Sequence, residues 1–191
     1  MFRSTSTPII LFAALSACVS TPTPPTITSS DVDDAFDEAE RVSLLPETTV
    51  GDLPTGSVTY QGQIGADVSG DAQGDILADM TMIVGFDSNT ITGNVTNINL
   101  VDPDGIPDQL LEGTLAMSGI ENSGDLAAVA SGQVNGVDIN GIDVDADMSL
   151  TLDGTVHDDT GQGDAVFGDV TGDANGDFLL DIDGVFFGTS D

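Results

Sequence analysis

The sequence predicts an all-β fold: eight antiparallel strands, closed as a barrel or stacked as a sandwich, preceded by a signal peptide, a disordered spacer and one short helix. Three observations predict it. From Gly56 onward apolar and polar residues alternate with period two, the pattern of antiparallel strands with one buried and one wet face. Clusters of turn formers separate the runs: Asp87-Ser88-Asn89, Glu121-Asn122-Ser123-Gly124 and Asp158-Asp159-Thr160-Gly161. The chain has one cysteine and no tryptophan, so no disulfide staples it and burial of Val, Ile, Leu, Met and Phe must hold it together.

Taken in order, residues 1–17 have the parts of a secretory signal. Arg3 supplies the early charge, Ile9-Ile10-Leu11-Phe12-Ala13-Ala14 the apolar run, and Ser16-Ala17 the small residues. The apolar run falls far short of the roughly 20 residues that cross a bilayer core. Leu15 fits poorly at the third position before an ordinary signal cut. Leu15-Ser16-Ala17-Cys18 instead resembles the lipobox of bacterial lipoproteins. That resemblance implies cleavage before Cys18 and a diacylglycerol on its sulfur as the lipid attachment. Val19 stands where an aspartate would retain some lipoproteins at the inner membrane, which favours the outer membrane.

Residues 18–30 then form a spacer, VSTPTPPTITSS after the cysteine, whose composition stays extended and solvated. Residues 31–55 hold a short acidic helix and a linker. Ser30 can cap the helix, acids fill its first turn, Arg41 lies near its end, and Pro46 stops it, giving a helix over 31–44. Val32, Phe36, Ala39 and Val42 share its apolar face.

Residues 56–191 form the β domain. Val58, Tyr60, Gly62 and Ile64 alternate with polar residues, as do Ile76, Ala78, Met80, Met82, Val84 and Phe86. Further sets are Ile91-Gly93-Val95, the run 111–119, and Leu126, Ala128, Ala130, Gly132 and Val134. The clearest is Val144, Ala146, Met148, Leu150 and Leu152 against Asp145, Asp147, Ser149, Thr151 and Asp153. Strands near 164–170 and 176–188 finish the chain. Eight such strands can close into a barrel filled by side chains, which also removes exposed edges. Periodicity does not separate a barrel from a sandwich. A lipid-facing pore is disfavoured because aromatic girdles are missing.

The chain carries 33 Asp and Glu against two arginines and no lysine. With Arg3 in the leader, Arg41 is the only cation facing all 33 acids beyond it. Such a surface repels nucleic-acid phosphates and anionic headgroups, and it favours solubility while penalising compaction.

Candidate chemistry is sparse. Asp102, Asp104 and Asp108 in VDPDGIPD place carboxylates at alternating positions around a glycine turn, as calcium loops do. They lack the further acids and closing glutamate of an EF-hand. Asp67, Asp71 and Asp75 form a looser acidic loop, and Asp138, Asp143, Asp145 and Asp147 another. Calcium is therefore the one cofactor the sequence admits. His157, the only histidine, precedes Asp158 and Asp159 and could hold a metal or a proton. No nucleophile elbow is present, no lysine ends a phosphate loop, and few aromatics are available for a sugar platform. The sequence thus points away from an enzyme and assigns no catalytic residue.

The stretch from Ala78 to Ile98, with Leu111-Glu112-Gly113-Thr114-Leu115 and the closing Gly184-Val185-Phe186-Phe187-Gly188, resembles the barrel domain of bacterial transferrin-binding protein B, in particular small single-barrel lipoproteins related to it. The resemblance covers roughly residues 56–191, and the order of anchor, spacer and barrel matches as well. It implies an eight-stranded antiparallel barrel at the outer membrane or cell surface that binds a protein or small ligand without chemistry. The alternative expectation is a structural or shielding lipoprotein whose acidic coat meets divalent cations.

Overall fold

The computed structural model describes residues 20–190; the leader, Cys18 and Asp191 lie outside the described residues. One helix, α1 (Ser29–Ser43), precedes nine strands in one antiparallel sheet. These are β1 (Ser57–Gly70), β2 (Gly74–Gly85), β3 (Thr90–Val101), β4 (Pro107–Gly113), β5 (Leu115–Asn122), β6 (Asp125–Val137), β7 (Asp143–Asp159), β8 (Gly163–Gly176) and β9 (Leu180–Ser190).

Strands β1, β2, β3, β5, β6, β7, β8 and β9 follow one another round a closed, barrel-like ring. The ring closes where β9 pairs with β1, from Tyr60↔Ser190 to Gly70↔Leu180. Strand β4 continues the stave of β5, since both lie between β3 and β6. The break at Thr114 faces an irregularity in β3, where the register slips by one residue and Asn97 takes a left-handed φ of 50°. A bulge of this kind bends a strand and increases its twist, which helps a small ring to turn its corner. Asn97 Nδ2 steadies it by donating to Asp79 Oδ2 at 2.7 Å.

Alternation has the expected consequence. Tyr60, Ile64, Met80, Met82, Ile91, Leu115, Met148, Leu150, Leu152 and Phe186 point inward and are fully buried. Tyr60 is therefore core, as the sequence indicates. Its hydroxyl has no hydrogen-bond partner, and burial pushes the phenol's pKa well above its ordinary value. Both ends of the ring are stoppered by apolar side chains against the core: Leu53, Val58 and Phe86 at one, Ala72 and Phe178 at the other. We call these the upper and lower ends. Turns 86–89, 123–124 and 160–162 mark the upper end, and turns 71–73, 102–106, 138–142 and 177–179 the lower.

Three expectations need correction. The helix starts at Ser29 rather than 31, because Thr28 is its N-cap: the Thr28 N–H donates to Asp31 Oδ2 at 2.7 Å. The Thr28 hydroxyl donates to the same oxygen at 2.7 Å, and it and then the N–H hold the Asp31 carboxyl below its ordinary pKa. Phe36, assigned to the buried face, is 72% exposed, and Ala35 is buried in its place. Residues 20–28, expected to be a free solvated spacer, keep their exposure but lie hydrogen-bonded along β3 and β4. Thr23 O accepts from Leu110 N at 2.9 Å, and the Thr26 N–H donates to Asn99 Oδ1 at 2.8 Å. Asn99 is fully buried, and a buried amide demands partners. Thr26 of the spacer supplies them from outside the ring, and Asn97 O on the same strand accepts from Asn99 Nδ2 at 2.7 Å.

Glycines on the inward face make room for Phe186. Its register partner is Gly168, which pairs in turn with Gly154. A methyl on Gly168 would lie 2.6 Å from Phe186 Cε1, and one on Gly154 2.7 Å from Cζ. Gly168→Ala is expected to destabilise the chain by about 1–3 kcal/mol through overpacking. Urea unfolding checks this: the midpoint falls while the slope is unchanged.

Candidate functional site

Helix α1 lies on the outer wall of the ring. Its buried residues Ala35 and Val42 pack with Leu77 of β2, Ala165 of β8 and Phe187 of β9, alongside Ile27, Val32, Ala39, Leu45 and Phe167. This second, smaller core explains apolar pairs that break the alternation. In Ile76-Leu77, Ala165-Val166 and Phe186-Phe187 one residue faces in and its neighbour faces the helix. Those doublets were the signal available in the sequence.

The C-terminal end of α1 is strapped to β7. The Arg41 guanidinium donates to Asp159 Oδ2 at 2.9 Å and to both Glu38 oxygens at 2.8 Å. The bond to Glu38 holds Arg41's pKa above its ordinary value and Glu38's below its own. His157 is buried beneath the strap. Its Nδ1 lies 2.9 Å from Leu45 O, its Nε2 lies 3.0 Å from Thr155 Oγ1, and its ring meets Phe167 edge-on. Thr48 N and Asp158 N add backbone bonds to Val156 O and Pro46 O. Although Thr155 and His157 resemble a nucleophile and its base, the strap covers the imidazole. Here Thr155 steadies the imidazole, and His157 joins β7 to the strap through Leu45 O.

Beside this strap, toward the lower end, α1 and the wall leave an apolar cleft of about 370 Å³. Val32, Ala35, Phe36 and Ala39 form one side; Gly65, Leu77, Val185 and Phe187 form the floor. Space above Gly65 is open, with no atom within 4 Å of where a Cβ would stand. Three carboxylates edge the cleft in a single cross-strand row, because Asp67 is the register partner of both Asp75 and Asp183. Burial, then the hydrogen bond and charge of Asp67, hold the Asp75 carboxyl above its ordinary pKa. The arrangement offers an apolar floor with anionic edges.

The sequence-predicted cation ligands are placed separately. Asp102 Oδ1 accepts from the N–H groups of Asp104 and Ile106, both at 2.9 Å, at the lower end. Asp104 sits exposed in the turn and Asp108 lies in β4. Asp138 Oδ1 repeats the pattern, accepting from Asn140 N and Ile142 N at 2.9 and 2.8 Å. Asp71 Oδ2 takes the Leu179 N–H at 2.9 Å, away from the Asp67–Asp75 pair. Asp143, Asp145 and Asp147 run along β7. Among the described residues, no three His, Cys, Asp or Glu side chains gather as a metal site. Asp183 and Gly65, which shape the cleft, were not singled out by the sequence; only strand register reveals that they meet Asp67 and the helix.

Comparison with family models, with curated proteins and with solved structures gives no match.

Two predictions follow from this geometry. Asp159 is only 8% exposed while Arg41 is 37% exposed, so removing Arg41 strands a nearly buried charge. Arg41→Ala should lose about 1–3 kcal/mol, and adding Asp159→Asn should restore part of it in chemical denaturation. The Asp75 carboxyl binds its proton more readily folded than unfolded. Stability therefore falls as pH rises through the window between the ordinary aspartate pKa and the raised one. Asp75→Asn is expected to raise Tm at neutral pH by roughly 1–2 °C, the effect of relieving about 0.5 kcal/mol of like-charge pairing. The gain should vanish at pH 3, where both forms are protonated.

Proposed function

We propose that this chain is a lipid-anchored barrel lipoprotein of the bacterial outer membrane, a non-enzymatic binding module whose ligand surface is the cleft beneath α1. The observation that carries the anchor is Leu15-Ser16-Ala17-Cys18 behind a short apolar run. A single cysteine at that position, in a chain held together by burial alone, suits a thioether rather than a disulfide. The resemblance to the single-barrel relatives of transferrin-binding protein B supports the same reading.

The binding surface is external, because side chains fill the interior. A ligand therefore meets the apolar floor and carboxylate edge outside the ring. The second reading, an acidic coat screened by divalent cations, is favoured by like charges in direct register. These include Asp67 with Asp75 and Asp183, Asp153 with Asp169, and Asp173 with Asp181. Millimolar calcium raises Tm under this second reading and leaves it unmoved under the first.

Cys18→Ala is expected to move the protein from the membrane to the soluble fraction and to abolish the acyl mass on the N-terminal peptide. Continued partitioning with membranes would contradict the anchor. For the cleft, an uncharged solvatochromic dye should brighten on the lipidated chain and lose that signal in Gly65→Trp, whose indole enters the open space over Gly65. A signal indifferent to this substitution would remove the cleft as the ligand surface.

A further inference from the structure

The lower end of the ring differs from the upper end in what its turns present to solvent. Among the described residues, ten large apolar side chains are exposed, and four lie in lower-end turns: Ile106, Ile139, Ile142 and Leu179. Ile139 has no cover at all, at 101% exposure. The upper-end turns present Asp87, Ser88 and Asn89, Ser123 and Gly124, and Thr160, Gly161 and Gln162. The other six are scattered over α1, the segment after it and the outer strand faces, and one of them, Val50, stands in a turn three residues before Leu53 of the upper end.

Four carboxylates at the lower end turn back onto backbone amides, while Asp104 stands exposed in its turn. Asp102 and Asp138 each cap two amides of their own turn, Asp71 caps Leu179 N, and Asp177 accepts from Asp145 N at 3.2 Å. The turns 102–106 and 138–142 share the pattern Asp-x-Asp/Asn-Gly-Ile with the same hydrogen bonds, and Gly105 and Gly141 take left-handed φ of 78° and 74°. Each turn therefore holds its isoleucine tip in a fixed, outward position.

The N-terminal segment leaves the molecule at the same end. Ser20 N donates to Gly141 O at 2.9 Å, beside Ile139 and Ile142. Cys18 stands two residues earlier, a span of at most about 7 Å. Residues 20–28 are hydrogen-bonded along the ring, so no free tether intervenes between Ser20 and the barrel.

We propose that the lower end is a membrane-contact face, its apolar turn tips Ile106, Ile139, Ile142 and Leu179 seated in the headgroup region of the bilayer that holds the Cys18 lipid. The proposal rests on the lipid-anchored reading above. The occupant is an uncharged or zwitterionic lipid surface, since the acids left in and beside the lower turns, Asp104, Asp108, Asp143 and Asp181 among them, repel anionic headgroups. The apolar tips add to the acyl chains in the way a second signal does for other anchors. The ring axis then stands across the membrane plane, and the upper end faces away.

The test uses the full lipidated chain in phosphatidylcholine–phosphatidylethanolamine vesicles. Acylation blocks the thiol of Cys18, so Ile106→Cys, Ile139→Cys, Ile142→Cys and Leu179→Cys each take one nitroxide label. The expected result is that these four lose collisions with a water-soluble nickel chelate and gain collisions with oxygen. Labels at Ser88→Cys, Ser123→Cys and Thr160→Cys should remain fully aqueous. Adding Ile139→Asp with Ile142→Asp should return the Leu179→Cys label to water, and vesicles rich in phosphatidylglycerol should weaken the contrast. Equal wetness at both ends, with the acyl mass present and the chain on the vesicles, overturns this face alone. Spin–spin broadening among lower-end labels assigns the tips to a second copy and overturns it too. An unmodified Cys18 mass overturns the anchored reading and this placement together.

Discussion

Everything in this molecule depends on closing an apolar ring inside a shell of like charge. The chain brings 33 acids to a fold with no disulfide. Self-repulsion therefore opposes each step of compaction, and the interior must outweigh it. The period of two makes this feasible. On β7, Ala146, Met148, Leu150 and Leu152 are buried while Asp145, Asp147, Thr151 and Asp153 point to water. One backbone geometry thus drives burial and charge separation together. A slip of one residue would exchange the two faces of a strand, so the charges that weaken the fold also fix its register.

Against that background the position of Arg41 acquires meaning. As the only cation among the described residues, it is placed beside one of the two carboxylates most shielded from solvent; the other, Glu121, is met by the Gly124 N–H instead. It answers Asp159 at the one site where the ring is crossed by the strap that follows α1. The acids of the cleft have no such partner. Burial and the adjoining Asp67 instead hold the Asp75 carboxyl above its ordinary pKa, and Asp164 is raised likewise at the upper rim, by burial and then by the charge of Asp158 opposite it. The same repulsion is thus met by a counter-ion at one site of the wall and registers as a raised carboxyl pKa at the others.

Much of this was legible in the residues, and what was not has a physical reason. The strands were legible because their inward positions carry Ile, Met, Leu and Val in strict alternation. Strand β4 was legible only at its end, inside a run 111–119 read as one strand: Pro107 and the Asp102–Asp108 turn chemistry mask its start, and the break at Thr114 leaves no mark in the alternation. Phe36 was misassigned because helical spacing fixes a stripe but not its width. Against a wall bearing Leu77 and Phe187, Ala35 lets the helix approach closely where a phenylalanine would hold it off. The docking of residues 20–28 was hidden for a different reason. Composition shows that a Pro/Thr segment lacks a core of its own, but not that buried Asn99 on another strand needs its amide satisfied.

The spacer and the cleft are consequences of one decision about the outer wall. A small ring with its interior filled has no room inside for a ligand, so anything it binds must use the exterior, where alternation would otherwise leave only charge. The apolar doublets at 76–77 and 186–187 break that rule in one sector and require a cover. Helix α1 provides it only in part, since its small Ala35 and Ala39 leave open space over Gly65. The segment before α1 must run along β3 and β4 to deliver the helix there, and this route carries the N-terminal end back to the lower turns. Cover, cleft and attachment point are therefore coupled: moving the helix would change all three.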